Sequence, residues 1–450
     1  MPKKKTALTI EERLQQALVP AEEQPYEVPE NWVWVRLGAI AEIVTGGTPS
    51  KKHPEYYGGN FPFYKPSDLD QGRLTYDASE YLSEEGKNVS RIIPKNSTAV
   101  CCIGSIGKCG YLMCEGTTNQ QINSAIPKIN SLCLYYYLCT ENFVQDLLSM
   151  ASATTIAIVN KSKMESCAFP LPPLSEQQRI VERIEELLAK LDEAKERLQE
   201  VADSFAVRKA AILHNAFTGE LTKQWRRENG VSDESWEESN FGKFTVSQYG
   251  YTEKAHWEKV GPKFLRITDI QDNKVDWDEV PWCPIDEAGM KQYAVQIGDI
   301  MIARTGATTG KSYLICDDVE AVFASFLIRL KVVDKNLDYN YLYGYMQSED
   351  YWRQITDFSS GIAQPGVNAN KLKQIKFKCP SLPEQHEIVR LIDDLLARER
   401  AAQQAAEQAL ASIDLMKKSI LAHAFRGELG TNKASEASAL ELLKQVLAEN

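Results

Sequence analysis

The sequence predicts an α+β protein in which two mixed α/β domains stand in tandem, separated by two long helices packed as an antiparallel coiled coil with a pseudo-twofold repeat. Three observations predict this fold class: an internal repeat, apolar spacing typical of long helices after each globular part, and short β-like runs within each globular part. The chain has 450 residues, of which 43% are hydrophobic and 25% charged, as expected for a globular protein with more than one core.

The repeat is clearest in the helical segments. Leu174-Ser175-Glu176-Gln177 returns as Leu382-Pro383-Glu384-Gln385, 208 residues later. The same offset relates Phe217-Thr218-Gly219 to Phe425-Arg426-Gly427. The two helical segments have equal length but different side chains. We therefore expect them to form a rod whose length is important for function.

The globular parts repeat more faintly and at smaller offsets. Lys65 pairs with Arg266 at an offset of 201, and Lys108 pairs with Lys311 at 203. The drift indicates insertions within the globular parts, so the two copies should share a fold and differ in their loops. Loops held by a rigid scaffold commonly carry binding specificity.

Each helical segment carries start and stop signals. Ser175 after Pro172-Pro173 is a plausible N-cap, with Gln178 completing a capping box, and Gly219 is a natural stop. The four-three apolar spacing continues through Val201 to Phe205 and typifies a coiled-coil seam. The seam is assigned to Ile180, Ile184, Leu187, Leu191 and Leu198 in the first helix and to Ile388, Ile392 and Leu395 in the second.

Shorter signals complete the outline. Thr9 and Glu12 form a capping box in an N-terminal helical extension, residues 1–25. Residues 100–103 and 300–303 are apolar runs typical of buried strands, each followed by a glycine loop. Residues 222–245 are polar and charged and are interpreted as a linker, and residues 431–450 as a C-terminal tail.

Composition excludes some classes of protein. No apolar run is long enough to span a bilayer and no signal peptide is evident, which predicts a cytoplasmic protein. The ten cysteines form no Cys-x-x-Cys pair, so we expect reduced thiols and no metal site. The net charge of −11 does not exclude nucleic acid, because binding needs only a local basic face.

A glycine loop in the second copy leaves three interpretations open. Gly306-Ala307-Thr308-Thr309-Gly310-Lys311-Ser312 resembles a P-loop but has three residues between its glycines where the motif needs four. A turn that presents Lys311 to a phosphate backbone and a plain tight turn are the other two interpretations. Nucleotide-binding enzyme function therefore remains an alternative, although no methyltransferase, nuclease or hydrolase motif is found and no catalytic residue is assigned.

Two polar segments of the first copy suggest contacts with DNA. The loop around Gly46 and Gly47 offers backbone amides and hydroxyls suited to phosphate, with an ordinary surface turn as the alternative. The amides of Gln120 and its neighbours suit adenine, with a satisfied polar turn as the alternative. The full candidate set is Thr45, Gly46, Gly47, Thr48, Lys65, Lys108, Asn119, Gln120, Gln121, Asn160, Lys161, Arg266, Arg304, Thr305, Lys311, Gln364, Asn368 and Lys371.

Three motifs resemble those of the specificity subunits of Type I restriction–modification systems. They are Pro170-Leu171-Pro172-Pro173-Leu174-Ser175-Glu176-Gln177 with its degenerate second copy, Trp32-Val33-Trp34-Val35-Arg36-Leu37-Gly38 with Thr45-Gly46-Gly47-Thr48-Pro49, and Ala216-Phe217-Thr218-Gly219-Glu220-Leu221. The resemblance covers nearly the whole chain from about residue 29 to residue 429.

The resemblance implies a function and partners. Two target-recognition domains, residues 26–172 and, with the linker, 223–380, would each read half of a bipartite site in double-stranded DNA. Helices in residues 173–222 and 381–430 would set the unread spacer. Two methyltransferase subunits would carry S-adenosylmethionine, and restriction subunits would use ATP and Mg, so this chain would hold no cofactor. A structural coiled-coil or DNA-binding scaffold outside restriction is the other alternative.

Overall fold

The computed structural model describes residues 9–70, 74–152, 157–271, 273–359 and 366–449. The chain divides into two compact units: unit 1, which comprises Met1–Leu198 and Gln408–Asn450, and unit 2, which comprises Gln199–Glu407. Both divisions fall inside long helices, so each unit combines one globular part with a stretch of both helical segments. No helix in the described ranges is long and apolar enough to cross a membrane.

Unit 1 is built around a five-stranded sheet of order β2-β9-β6-β7-β4, with a three-stranded sheet β5-β3-β8 and an antiparallel pair β1-β10 beside it. Its elements before the first long helix are α1 (Ile10–Ala17), β1 (Val33–Arg36), α2 (Leu37–Ile40), β2 (Ala41–Thr45), β3 (Tyr57–Tyr64), β4 (Leu74–Thr75), β5 (Glu80–Leu82), α3 (Glu84–Asn88), β6 (Thr98–Cys101), β7 (Cys109–Leu112), β8 (Thr117–Thr118), β9 (Ile122–Pro127), α4 (Ser131–Leu138), α5 (Glu141–Ser149), α6 (Lys161–Ser166) and β10 (Ala168–Leu171).

The remaining elements comprise the long helices, the globular part of unit 2 and one terminal helix. They are α7 (Leu174–Asp203), α8 (Phe205–Thr218), α9 (Lys223–Glu228), β11 (Glu237–Asn240), α10 (Phe241–Phe244), β12 (Thr245–Tyr249), β13 (Lys263–Leu265), β14 (Ile270–Gln271), β15 (Lys274–Val275), α11 (Glu287–Tyr293), β16 (Ile300–Ala303), β17 (Ser312–Leu314), β18 (Ala321–Phe323), β19 (Leu327–Val332), α12 (Tyr339–Tyr345), α13 (Glu349–Ser359), α14 (Ala369–Lys373), β20 (Lys376–Cys379), α15 (Leu382–Ala424) and α16 (Ala439–Ala448).

The two units repeat one topology. The sheet β12-β19-β16-β17 of unit 2 matches β2-β9-β6-β7 of unit 1, the parallel pair β13-β18 matches β3-β8, and β11-β20 matches β1-β10. The strand expected at residues 300–303 is β16, whereas the strand expected at 100–103 lies two residues earlier, as β6. The repeat seen in the sequence is therefore a repeat of fold.

The first helical segment differs from the single helix predicted. It begins at Leu174, so Ser175 lies inside the first turn and is not the N-cap, because the Pro173 carbonyl already accepts the amides of Glu176 and Gln177. The segment is interrupted at Ser204 between α7 and α8, and Val201 is 39% exposed, so the seam does not extend that far. Gly219 ends α8 in the left-handed region, as predicted.

The assigned seam residues differ in burial. Ile180 and Ile184 belong to the core of unit 1, and Ile388 and Ile392 to that of unit 2. Half-buried positions are Leu187, Leu191, Leu198 and Leu395. In unit 1, Lys417 of α15 pairs with Asp192 of α7 at 2.5 Å, and in unit 2, Arg208 of α8 pairs with Glu399 of α15 at 2.5 Å. Within each unit, residues later in one segment thus contact residues earlier in the other.

The repeated Glu-Gln pair fixes the start of each long helix. In unit 1 the fully buried Glu176 accepts hydrogen bonds from Trp32 at 2.7 Å, Asn432 at 2.8 Å and Thr431 at 3.2 Å. Gln177, also fully buried, accepts from the Asn130 amide that begins α4. These bonds join the helix start, the globular part and the C-terminal segment of unit 1.

Unit 2 fixes its helix start with the same kind of hydrogen bonds and adds an ion pair. The fully buried Glu384 accepts hydrogen bonds from Thr222 at 2.7 Å and Trp236 at 3.0 Å, and it forms an ion pair with Arg226 at 2.7 Å. Gln385 accepts from the Asp338 amide that begins α12. Residues 222–245 are therefore not a plain linker, because they contain α9, β11 and α10 and supply buried partners to the helix start.

Both termini of the described chain pack onto unit 1. Thr9 and Glu12 form the predicted capping box of α1, and Leu14 and Leu18 pack on the core of the unit. The segment expected as a tail contains α16, whose Ala439 and Leu443 are fully buried in the same core. Both terminal helices thus contribute residues to the core of unit 1, whereas Ile10 of α1 is 51% exposed.

Candidate nucleic-acid interface

One edge of the central sheet in unit 1 collects most of the predicted residues of the first copy. Strand β2 ends at Thr45, whose hydroxyl donates to Asn123 at 2.7 Å. The amide of Gly46 donates to the Ile122 carbonyl at 2.9 Å, which places the glycine loop beside the turn between β8 and β9. The Thr48 hydroxyl donates to Gln120, so the two predicted polar segments form one surface.

Gly46 is required by the close approach of these two segments. A Cβ at this position would lie 2.2 Å from the Asn119 carbonyl oxygen. The amides of Gly46 and Gly47 donate to Ile122 and Thr118, at 2.9 and 2.8 Å. The prediction that these amides bind phosphate is therefore wrong, because the sheet already uses them, whereas the exposed Thr48 side chain remains at the surface.

The predicted amide cluster divides by burial. Asn119 is only 8% exposed, and its side chain accepts from the Gln121 amide and donates to the Gln121 side chain, both at 3.0 Å. This geometry is a satisfied polar turn, the alternative raised by the sequence. Gln120 is exposed and Gln121 half-buried, so these two side chains are the part of the cluster nearer to solvent.

Lys108 and Lys311 occupy equivalent positions in two matching hairpins. Each follows a glycine in the left-handed region, Gly107 at φ 85° and Gly310 at φ 87°. Their carbonyls accept from Cys101 at 2.8 Å and Ala303 at 2.9 Å. The Lys108 ammonium pairs with Asp70 at 2.5 Å, and that of Lys311 donates to the Ile270 carbonyl at 3.4 Å, so a phosphate would have to compete with these contacts.

The P-loop interpretation is contradicted by the element that follows the glycines. A P-loop places its lysine at the start of an α-helix, whose amides surround the phosphates. Here Lys311 leads directly into strand β17, and residues 306–308 form one short 3-10 turn. The loop is a hairpin connection between β16 and β17.

Lys65 and Arg266 are equivalent as well. Each backbone amide donates to a carboxylate three residues on, Asp68 at 2.7 Å and Asp269 at 2.8 Å. The Lys65 ammonium pairs with Glu80 at 2.7 Å, and the Arg266 guanidinium binds Asp269 through two nitrogens. Both cations are therefore partly exposed, but each already pairs with a carboxylate.

The candidates nearest the ends of the globular parts act as helix caps. The side chains of Asn160 and Asn368 accept from the amides of Lys163 and Lys371, both at 2.9 Å, at the starts of α6 and α14. The Lys371 ammonium donates to the Phe358 carbonyl at 2.6 Å. Lys161 is exposed beside Glu165, at 3.6 Å, and Gln364 lies outside the described residues.

The matching edge of unit 2 carries aromatic rings that the sequence reasoning missed. Arg304 lies 4.9 Å from the ring centroid of Tyr249, its amide donates to the Phe326 carbonyl, and Thr305 forms a bridge with Gly366. Tyr249 is 41% and Phe326 62% exposed. Comparing Thr45-Gly46-Gly47 with Tyr249-Gly250-Tyr251, at an offset of 204, is the signal that would have found Tyr249.

Among the described residues, no group of three or more histidine, cysteine, aspartate or glutamate side chains is placed to hold a metal ion. Burial raises the pKa of the Cys102 thiol to about 12 and that of Cys283 to about 11. Such thiols stay protonated at neutral pH, which makes them weak nucleophiles and poor ligands.

Comparison with protein families gives two matches along the chain. The model described as "Type I restriction modification DNA specificity domain" matches residues 29–203 and 235–409. The two matched ranges correspond to the two copies of the repeat, each with the beginning of the long helical segment that follows it.

Relatives and solved structures agree with that match. The chain is 27% identical to the Type I restriction enzyme EcoBI specificity subunit of Escherichia coli, over 94% of this chain and 93% of that protein. It is 24% identical to the EcoKI specificity subunit of Escherichia coli strain K12, over 94% and 96%. The crystal structure of the HsdS subunit from Thermoanaerobacter tengcongensis has the same fold, with a TM-score of 0.66, 19% identity and coverage of 90% and 99%.

Proposed function

Because this chain belongs to the family of Type I restriction–modification DNA specificity domains and carries two copies of that domain, we propose that it is the non-catalytic subunit that reads a bipartite DNA sequence. The observation that carries the proposal is the pair of matching sheet edges. At one equivalent backbone position, where the carbonyl accepts from Cys102 in unit 1 and from Arg304 in unit 2, the first edge presents Gln121 and the second presents Phe326. Different side chains on one backbone are what two different half-sites require.

Reading two half-sites with two units is physically economical. Each base pair read contributes about 1–3 kcal/mol of discrimination, so two short half-sites give a specific site without one large interface. We assign the reading of bases to residues 26–172 and 223–380, and phosphate contacts to the hairpin lysines Lys108 and Lys311. These two lysines would neutralise the charge of DNA phosphates and would carry no sequence information.

The long helices are proposed to pack as an antiparallel coiled coil that sets the spacer between the half-sites. Two contacts support this arrangement: Asp192 with Lys417 in unit 1 and Arg208 with Glu399 in unit 2, each at 2.5 Å. In each contact, one residue lies nearer the start of its own helical segment, and its partner lies nearer the end of the other segment. The assigned seam would lie between the helices, and Ala406 of α15, outside the assigned set, is a small residue that is also buried.

Partner subunits would supply the chemistry. We propose that two methyltransferase subunits carrying S-adenosylmethionine assemble with this chain on DNA in the cytoplasm, and that restriction subunits using ATP and Mg join them. The exposed acidic residues of α7, such as Glu182, Glu193 and Glu196, would repel DNA and so favour a protein partner there.

A change in rod length tests the proposal. Insertion of seven residues after Leu191 in α7 and of seven after Ala406 in α15 keeps the heptad phase and adds about 10.5 Å to each helix. At about 3.4 Å per base pair, the spacer should grow by about three base pairs while both half-sites stay the same. The measurement is a map of adenine methylation in host DNA with the partner genes present.

A matched insertion provides the control. Seven residues inserted after Gly230, which has open space around it, lengthen the chain without lengthening either helix and should leave the spacer unchanged. Altered half-sites in the helix-insertion variant, or methylation only at the original spacing, would show that the helices do not set the spacer. If no adenine methylation depends on the natural chain, the proposed function itself is refuted.

A further inference from the structure

The turn between β18 and β19 holds Phe326 in a fixed, exposed position. The amide of Ala324 donates to Leu265 at 2.9 Å, that of Ser325 to Tyr251 at 2.8 Å, and the Phe326 carbonyl accepts from Arg304 at 3.1 Å. The neighbouring Leu327 is fully buried, whereas the Phe326 side chain is 62% exposed. The ring is therefore presented by rigid backbone and not by a loose loop.

Cations and further aromatic rings surround this turn. The Arg304 guanidinium donates to the Ser325 carbonyl at 3.3 Å and lies against the Tyr249 ring. Leu265, whose carbonyl accepts from Ala324 of the turn, is followed by Arg266, which lies 5.6 Å from the ring centroid of the 67% exposed Trp257. Exposed aromatic rings beside arginine are typical of recognition surfaces, and guanidinium groups suit phosphate.

Unit 1 has the same turn with a different side chain. The Asn119 amide donates to Tyr64 as that of Ala324 donates to Leu265, and the Ile122 carbonyl accepts from Gly46 as that of Leu327 accepts from Gly250. Phe326 consequently occupies the backbone position that Gln121 holds in unit 1. One copy places an amide there and the other an aromatic ring.

We propose that Phe326 determines specificity in unit 2 by covering the C5-methyl group of a thymine in the major groove, an inference that rests on the proposed function. The thymine methyl is the apolar group that base edges display in that groove, and phenylalanine is among the side chains that contact it. Arg304, whose guanidinium donates to the Ser325 carbonyl next to the ring, would hold a flanking phosphate.

Deoxyuridine tests the contact directly, because it lacks only this methyl group. After the half-sites have been mapped, each thymine is replaced in turn by deoxyuridine, and binding of the full chain with its partner subunits is measured by fluorescence anisotropy. One replacement should weaken binding of the natural protein about fourfold, the amount expected for one buried methyl group. The Phe326→Ala variant should bind the thymine duplex at least as weakly as the natural protein binds the deoxyuridine duplex. Deoxyuridine at that position should then cause no further loss of its binding.

Two variants serve as controls. Val333 follows the other end of β19 and is 59% exposed, so Val333→Ala should bind as the natural protein does and keep the deoxyuridine effect. Gln121→Ala in unit 1 should also keep the effect at that thymine. Because both Phe326 and Val333 are exposed, the variants should keep the natural melting temperature, which is measured alongside.

The outcomes separate this inference from the proposed function. Specific binding by the natural protein with no sensitive thymine, or unchanged binding by Phe326→Ala, would overturn the thymine contact and leave the function standing. Weakened binding by Phe326→Ala with an undiminished deoxyuridine effect would overturn it also, since the ring would then act elsewhere on the duplex. Absence of any sequence-specific binding would refute the proposed function.

Discussion

Replacing Arg226 by methionine should destabilise unit 2 more than any surface change, because it leaves a buried carboxylate without its cation. Glu384 is fully buried and Arg226 is 7% exposed, with 2.7 Å between the charged atoms. Thr222 and Trp236 would still donate to Glu384, but neither carries a charge. Methionine preserves most of the volume of the side chain, so the lost term is mainly electrostatic.

The expected magnitude follows from the burial of both groups. Removing one partner of a buried ion pair costs about 3–5 kcal/mol. For a unit of this size, each kcal/mol lowers the melting temperature by about 2–4 °C, so the shift should be roughly 6–20 °C. The equivalent Glu176 of unit 1 is held by Trp32, Thr431 and Asn432, so Asn432→Ala removes a neutral donor and should cost only about 1–3 kcal/mol.

Differential scanning calorimetry of the full chain measures these shifts. The double variant Arg226→Met with Glu384→Gln removes both charges and should recover at least half of the lost stability, since replacing a whole buried pair is often close to neutral. A melting temperature of Arg226→Met within about 2 °C of that of the natural protein would refute the reasoning. A shift that small is no larger than an exposed substitution would cause. A double variant less stable than the single would show that the cost does not come from an unpaired carboxylate.

Three further predictions concern the hairpins. Lys108→Ala or Lys311→Ala should weaken binding to every duplex and reduce the salt slope by about one unit; altered sequence preference at an unchanged slope would instead indicate a base contact. The purified chain should not hydrolyse ATP in a phosphate-release assay; hydrolysis that Lys311→Ala abolishes would restore the nucleotide-binding alternative. Gly310→Ala, whose Cβ would lie 2.6 Å from Ile355, should lower the free energy of unfolding in urea by more than Gly306→Ala, since Gly306 has a similar φ but open space; equal losses would contradict the steric argument.

Much of the architecture could be predicted because it follows from local pattern. The capping box at Thr9, the strand at residues 300–303 and the stop at Gly219 depend on residues close in sequence, and all three are confirmed. The interruption at Ser204 could not be predicted, because the apolar spacing passes through it unchanged. A helix break depends on packing around it, which periodicity does not record.

The candidate surface was predicted in outline and corrected in detail. Thr48, Gln120, Lys108 and Arg304 do lie where strands of the central sheets end. The glycine amides could not be excluded from phosphate binding on sequence alone, because their acceptors at Thr118 and Ile122 lie more than 70 residues away in the chain. Phe326 was missed because it lies in the largely apolar run of residues 321–328, which is typical of a buried strand.

The sequence by itself determined that this chain is a repeated pair of α/β domains with matching helical segments, because equal spacing and periodic apolar residues are written along the chain. Tertiary structure alone decided that Glu176 and Glu384 fasten the helix starts, that α16 completes the core of unit 1, and that Phe326 faces solvent. The reason is physical: exposure, and the pairing of a buried carboxylate with donors far away in the chain, depend on which surfaces meet after folding, and no local pattern specifies that.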